Sequence, residues 1–390
     1  MNSTHLMSNY GTRALTLVRG AGSRVWDDQG KEYLDAVSGI AVCGLGHCHP
    51  AVTAALTDQA DTLVHCSNLF NIPNQQELGD KLSAICGLDS AFFCNSGTEA
   101  NEAAIKLCRL HAHSKGIDNP EILVCEGAFH GRSLGALSAT WGSKARNGFA
   151  PLLEGFTHVP YGDIPAIEAK ASDRTVAIML EPIQGEAGIV IPPAEYLDQL
   201  RSICDAKGWL LVFDEIQTGN GRTGSYFAFQ QTRAKPDILT TAKGLGNGLP
   251  IGVCLASKEI ADLMVAGSHG TTFGGNPLVS RAACAVIDTI QSEKLADRAK
   301  EMGNWLLEQL ENQLGDLPQV VDIRGAGLML AIELSGPCSE LVAAAADAGL
   351  IINVTGGNRI RLLPPLNISD KDAQQLLDIL CPLIQKWEAK

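Results

Sequence analysis

The 390-residue chain has no apolar run approaching the roughly 20 residues needed to span a bilayer, so a membrane helix is not expected. Its start, Met1-Asn-Ser-Thr-His-Leu-Met7, lacks a basic segment followed by an apolar stretch, and no secretion signal is expected. There is no C-x-x-C pair. The 12 cysteines are scattered from Cys43 to Cys381, which excludes a compact disulfide framework and fits reduced thiols in the cytoplasm. His47-Cys48-His49 invites a metal ion. Adjacent residues rarely turn three ligands toward one ion, however, and no second ligand group follows at zinc spacing, so no metal is expected. Positive charge is also short: 30 Lys and Arg face 43 Asp and Glu, a net charge of −13. A chain of this balance is a poor partner for nucleic acid or an anionic membrane. Low-complexity linkers and internal repeats are missing too. What remains is 45% hydrophobic and 19% charged, enough for a sizeable buried core in a chain long enough for two or three domains.

Near the N-terminus, Ser23-Arg-Val-Trp-Asp27 and Lys31-Glu-Tyr-Leu-Asp35 read as short strands flanking the turn Asp28-Gln29-Gly30. From about residue 55 to 275 buried strands alternate with helices. Ile122–Cys125, Val176–Leu180, Trp209–Phe213 and Ile251–Leu255 are continuous apolar runs, the pattern of strands covered on both faces of a largely parallel sheet. Between them lie amphipathic segments such as 194–207, with Leu197, Leu200 and Cys204 on one stripe. Residues 278–314 read as one long helical stretch. After it 320–334, 350–354 and 358–363 read as strands, closed by a helix over about 369–387. The expectation is an α/β chain with a large domain at 55–275 and a smaller α+β domain built from 1–54 and 276–390.

Five constellations carry chemistry. Asn95-Ser96-Gly97-Thr98-Glu99 opens a helix whose free N–H groups and positive dipole end suit a phosphate, although an ordinary N-cap uses the same residues. Trp209–Phe213 runs straight into Asp214, at the strand end where ligands collect in open α/β sheets. Lys243 ends an apolar segment ahead of Gly244-Leu-Gly-Asn-Gly248, and a Lys in a dry site becomes a nucleophile. That loop is no dinucleotide fingerprint, because no helix with a third glycine in register follows. Phe129-His130-Gly131-Arg132 sets a ring beside a cation that can grip a carboxylate through two parallel hydrogen bonds. His269-Gly270-Thr271-Thr272-Phe273-Gly274-Gly275-Asn276-Pro277 places hydroxyls in a glycine-rich loop.

A phosphate cradle, a stacking ring, a strand-end carboxylate and a loop Lys together meet the needs of a pyridoxal phosphate site. In these motifs, in Glu181-Pro-Ile-Gln-Gly-Glu186 and in Asp214-Glu-Ile-Gln-Thr-Gly219, the chain resembles the class III pyridoxal-phosphate-dependent aminotransferases from about Gly20 to Leu380. The resemblance implies fold type I, with a mainly parallel seven-stranded sheet and a smaller α+β domain. It implies that Lys243 carries pyridoxal 5′-phosphate and then moves the proton, and that Asp214 keeps the pyridine nitrogen protonated. By the same resemblance Gln217 approaches the phenolic oxygen and Phe129 and Ile216 sandwich the ring. Gly97 and Thr98 bind the phosphate, and Thr272 reaches it across a homodimer interface.

The finer match lies in Gly39–Val42, Leu45–Pro50 and Thr271–Pro277. It implies transfer of the terminal amine of N2-acetyl-L-ornithine to 2-oxoglutarate, giving N-acetyl-L-glutamate 5-semialdehyde and L-glutamate in arginine biosynthesis. Ornithine, succinylornithine, N-succinyl-diaminopimelate and 4-aminobutyrate stay open as donors. Arg132 matches the position that holds a distal carboxylate, and Thr271 one that touches substrate. Arg361 matches the receptor for the carboxylate beside the reacting carbon of 2-oxoglutarate. Glu186 would cover Arg361 in one half-reaction and release it in the other, although a purely structural ion pair would use the same two residues.

Overall fold

A computed structural model describes residues 5–10 and 13–388, and its centre is built from the apolar runs named above. Seven strands form one sheet. It runs from Ser90–Cys94 at one edge through Gly252–Ala256, Ile238–Thr241, Leu210–Asp214, Thr175–Leu180 and Glu121–Cys125 to Phe156–Val159 at the other. Gly252–Ala256 is antiparallel to both its neighbours and the remaining pairs are parallel. The five inner strands are buried at every position, which is why their sequences run apolar without alternation. Helix Gly97–Ser114 covers one face, and Tyr196–Lys207 packs against Leu210–Asp214.

Two four-stranded sheets lie outside this one. Val320–Ala326, Met329–Leu334, Arg359–Leu362 and Asn353–Thr355 pair antiparallel in that order. Leu17–Ala21, Arg24–Asp27, Glu32–Asp35 and Leu350–Ile351 form the other, with Leu350 and Ile351 running parallel to Leu34 and Asp35. The two ends of the chain meet there, and Ser23 Oγ donates to Asp372 Oδ2 at 2.6 Å. No helix among the described residues is long and apolar enough to cross a membrane.

Three expected elements divide. The stretch 278–314 is two helices, Pro277–Ser292 and Leu295–Leu314, separated at Lys294, whose φ of 52° is left-handed. Neither Gly nor Pro marks the break. The first helix packs on Pro50–Thr62 and Pro73–Cys86, the second on Asp370–Gln385, so tertiary packing decides the turn. The stretch 320–334 is a hairpin turned at Gly327, and 350–354 feeds two different sheets.

A further turn shapes the site. Ser38, Gly39, Ile40 and Ala41 carry φ values of 50, 64, 65 and 60°, a complete left-handed turn. Each L-residue in it costs about 1–2 kcal/mol. Asp35 holds it. Oδ1 accepts the Val37 and Ser38 N–H groups, both at 2.9 Å, and Oδ2 meets His47 Nε2 at 2.7 Å. Ser38 O then accepts from Val42 N and Cys43 N, which delivers Val42 to the cavity described below.

A Cβ on Gly303, inside helix Leu295–Leu314, would meet Gly327 O at 1.9 Å. Helix propensity favours Ala over Gly by about 1 kcal/mol, but overpacking against rigid backbone costs roughly 1–3 kcal/mol. Gly303→Ala is therefore expected to lower the denaturation midpoint, and a raised midpoint would show that the approach is loose. The Asp35 hydrogen bond, then Cys43, raises the pKa of His47 from its ordinary 6.5 to about 10. The folded protein binds this proton more tightly than the unfolded chain, so the stabilisation is complete below pH 6.5 and disappears as pH rises through about 10. The Tm difference between the wild type and His47→Gln should narrow across that window. A difference independent of pH would contradict the charged pair.

Candidate active site

Asp214 closes the strand Leu210–Asp214 and is 3% exposed. A carboxylate so placed needs donors. Oδ2 accepts from Asn101 Nδ2 at 2.7 Å and meets His130 Nδ1 at 2.8 Å, and Oδ1 accepts from Ile216 N at 3.1 Å. Asn101 is fixed in turn, because its Oδ1 accepts from Thr240 Oγ1 at 2.8 Å and its Nδ2 also reaches His130 O at 2.7 Å. Burial works to lower the pKa of His130, but the hydrogen bond and charge of Asp214 outweigh it, so the imidazole keeps its proton more tightly than usual.

Asp214 and Lys243 line the same cavity of about 360 Å3. Lys243 follows strand Ile238–Thr241 and takes a left-handed φ of 41°. Burial lowers its pKa and Arg361 adds to the fall, while Glu186, Asp214 and Glu181 oppose it. The result is an amine easier to deprotonate than an ordinary Lys.

The N-terminus of helix Gly97–Ser114 forms another wall. Ser96 Oγ accepts the Glu99 N–H at 3.4 Å, while Glu99 Oε2 accepts from Asn95 N at 2.7 Å and Ser96 Oγ at 3.1 Å. This capping leaves the Gly97 and Thr98 N–H groups, which have no partner inside the helix, at the cavity. A Cβ on Gly97 would meet Ile216 Cδ1 at 2.8 Å, so glycine lets the Ile216 side chain lie flat against the helix start. The Thr98 hydroxyl pairs with Ser133 Oγ at 2.6 Å and accepts from Arg132 N at 3.3 Å, which ties down the turn that carries Arg132.

Phe129 and Arg132 lie side by side, with the guanidinium 5.2 Å from the ring centroid. Arg132 is exposed and has no ion-pair partner among the described residues. Beneath Phe129, Glu181 accepts Phe129 N–H at 3.1 Å and Gly185 N–H at 3.2 Å. Burial pushes its carboxyl up to about 7, with His130 opposing and Asp214 reinforcing the rise.

Arg361, only 1% exposed, sits behind Glu186 on strand Arg359–Leu362. Its Nη1 donates to Glu186 Oε1 at 2.7 Å, and Gln217 Nε2 donates to the same oxygen at 3.2 Å. Burial works to raise the Glu186 carboxyl, but the charge and hydrogen bond of Arg361 hold it below its usual range. Gln217 thus bridges to the ion pair, and Gly185 makes room, since a Cβ there would fall 2.0 Å from Gln217 Oε1.

Of the residues singled out in the sequence, Gly97, Thr98, Phe129, Arg132, Glu186, Asp214, Ile216, Gln217 and Lys243 all line this cavity. Arg361 touches it through Glu186. Thr271 lies at its edge, its Oγ1 3.3 Å from Asn95 Nδ2, and Thr272 is exposed away from it. Sequence reasoning gave no role to Asn101, His130, Glu181 or Asn353. Asn101 had a readable signal: one turn into the helix, it sits within the run of Ala100, Ala103 and Ala104, where a polar residue needs a partner. The others had none: His130 and Glu181 take meaning from contacts across the fold, with Asp214 and Phe129, and Asn353 from the pairing of two strands.

Comparison with known proteins agrees with this geometry. The family described as aminotransferase class-III matches residues 7–384. An acetylornithine aminotransferase of Nitrosomonas europaea is 50% identical over 383 residues, covering 98% of each chain. Among solved structures, ornithine aminotransferase from Toxoplasma gondii superposes with a TM-score of 0.95 at 33% identity, covering 97% of this chain and 92% of that one. Acetylornithine aminotransferase from Elizabethkingia anophelis does so with a TM-score of 0.87 at 35% identity, covering 98% and 97%. Alignment along almost the whole length, together with a buried carboxylate and a lysine lining one cavity, places this chain in the class III aminotransferases.

Proposed function

We propose that the protein transfers the terminal amine of N2-acetyl-L-ornithine to 2-oxoglutarate with pyridoxal 5′-phosphate as cofactor. The observation that carries this reading is the shared cavity of Lys243 and Asp214, with an open arginine, Arg132, and a covered one, Arg361, beside it. Relatives named acetylornithine aminotransferases at 41–50% identity support the donor.

The residues present fit the cofactor. Asp214 Oδ1 accepts only one backbone N–H among the described residues, which leaves capacity for a protonated ring nitrogen. Phe129 and Ile216 offer apolar surfaces, the Gly97 and Thr98 N–H groups suit the phosphate, and Lys243 would hold the aldehyde. Gln217 would reach the phenolic oxygen from its place beside Glu186. Bound there, the cofactor would supply a ring that draws off the electron pair left when the donor carbon loses its proton. Lys243, whose amine burial makes easier to deprotonate, would take up that proton and hand it on.

The two substrates place their carboxylates differently. The α-carboxylate of N2-acetyl-L-ornithine lies far from its reacting amine and would pair with Arg132, with Thr271 also near the substrate. 2-Oxoglutarate would use Arg132 for its distal carboxylate and Arg361 for the one beside its carbonyl. Glu186 covers Arg361 while the amine donor reacts, so that no buried cation stands unpaired, and yields to the oxo acid afterwards.

We also propose a cytoplasmic homodimer in which Thr272 of each copy reaches the phosphate of the other. Asn68 Nδ2 donates to Thr271 O at 3.3 Å and Gly274 O at 3.1 Å, which joins the segment of exposed Leu69 and Phe70 to the loop of exposed Thr272 and Phe273, a surface that a second copy would cover. The division into a domain at 55–275 and one from 1–54 and 276–390 belongs to the same reading.

Purified protein should be yellow and bleached by borohydride. Lys243→Ala should lose roughly 10²–10⁴-fold in turnover; full activity in that variant would defeat the assignment. A donor screen that reads glutamate formation should give a higher kcat/KM for N2-acetyl-L-ornithine than for free ornithine, and the reverse order would reassign the donor. Glu186→Gln leaves the buried Arg361 charge without its anion, at a cost of roughly 3–5 kcal/mol. The preference between glutamate and N2-acetyl-L-ornithine as donor should shift toward glutamate by about tenfold or more. No shift would mean that the pair is structural.

A further inference from the structure

The surroundings of Arg361 assign a role to its cross-strand neighbour, given that Arg361 receives the oxo acid's carboxylate. A guanidinium presents five N–H donors in one plane. Nε and Nη2 both donate to Asn353 Oδ1, at 3.1 and 2.7 Å. Nη1 donates to Glu186 Oε1 at 2.7 Å, with Gly185 O at 3.2 Å and Gln217 Oε1 at 3.4 Å. Asn353 and Arg361 are register partners on adjacent antiparallel strands, so both side chains leave the same face of the sheet and the amide meets one edge of the guanidinium.

We propose that Asn353 is a positioning residue for the acceptor half-reaction. It grips the Nε–Nη2 edge of Arg361 throughout the cycle, so the Nη1–Nη2 end stays aimed at the place where Glu186 and the oxo acid's carboxylate alternate. When Glu186 leaves, Nη1 and the second Nη2 hydrogen form a parallel fork for that carboxylate. The amide is suited to the task because it is neutral. A carboxylate in its place would cancel the arginine charge permanently, and an apolar side chain would leave two buried N–H groups without an acceptor. A side chain this short also cannot follow the substrate, so the grip does not depend on which half-reaction is under way.

The test uses the holoenzyme with two variants. Asn353→Asp keeps shape and acceptor but adds charge, whereas Asn353→Leu removes the acceptor. Calorimetric binding of glutarate, a dicarboxylate with no carbonyl to react, should weaken about tenfold or more in both, and more in the Asp variant, while the single-turnover rate with N2-acetyl-L-ornithine stays within about threefold. The half-reaction with glutamate should slow in step with the glutarate affinity. Unchanged glutarate binding overturns the proposal, as does an equal fall in both half-reactions. If Asn353→Leu fails to fold, the near-isosteric Asn353→Asp carries the comparison alone. If the wild type reacts with glutamate but not with N2-acetyl-L-ornithine, the donor reading fails, and glutarate and glutamate still decide the role of Asn353.

Discussion

A charge taken out of water must meet an opposite charge or a set of oriented dipoles, and that constraint organises everything around the cavity. Asp214 is met by Asn101, His130 and a backbone N–H. Glu181 is met by two backbone N–H groups. Glu215, next to Asp214 but turned away from the cavity, accepts the Ala228 and Phe229 N–H groups and the Thr218 hydroxyl, and burial still pushes its carboxyl up to about 7. Adjacent carboxylates at one strand end thus serve different ends. One anchors the loop that follows, and the other faces the site.

The same constraint ties the C-terminal sheet to the loop carrying Glu186. Arg324 donates through Nε to Ile189 O at 2.6 Å and through Nη2 to Gly188 O at 2.7 Å, and Arg359 Nη1 donates to Ala187 O at 2.9 Å. Glu333 pairs with both arginines, at 2.8 and 3.0 Å. With Arg361 on Gly185 O, four carbonyls of one loop accept from three arginines of one sheet. The position of Glu186 is therefore set by residues more than 130 positions away, and Gly188, with φ of 98°, is shaped to receive the Arg359 stem.

The sheet was legible because its inner strands are buried on both faces and read as unbroken apolar runs. The lysine, the strand-end carboxylate and the capped helix were legible because each combines a local pattern with a special residue. The left-handed turn at Ser38–Ala41 was not. Only Gly39 hints at it, and the groups that hold it, Asp35 and His47, act through tertiary contacts. The break at Lys294 was hidden for the reverse reason: the local sequence favours helix throughout, and packing against two different partners overrides it. Asn353 lies beyond such reading altogether, since its meaning comes from strand register, which periodicity does not fix.

The two arginines show why environment, more than residue type, governs an alternating site. Arg132 is exposed, its guanidinium lying over Phe129, and water can solvate it. Leaving it empty costs little, so it needs no internal counter-ion. Arg361 is shut away from water and cannot be left empty. Here Glu186 covers it, and in the proposed cycle a substrate carboxylate would take that place. If Glu186 is displaced as proposed, Arg361 would discriminate by the presence of a carboxylate next to the reacting carbon. An exposed arginine only measures the distance to one further away. In the proposed function, the pair would let one cavity accept a long amine with a single carboxylate and a shorter dicarboxylate in turn.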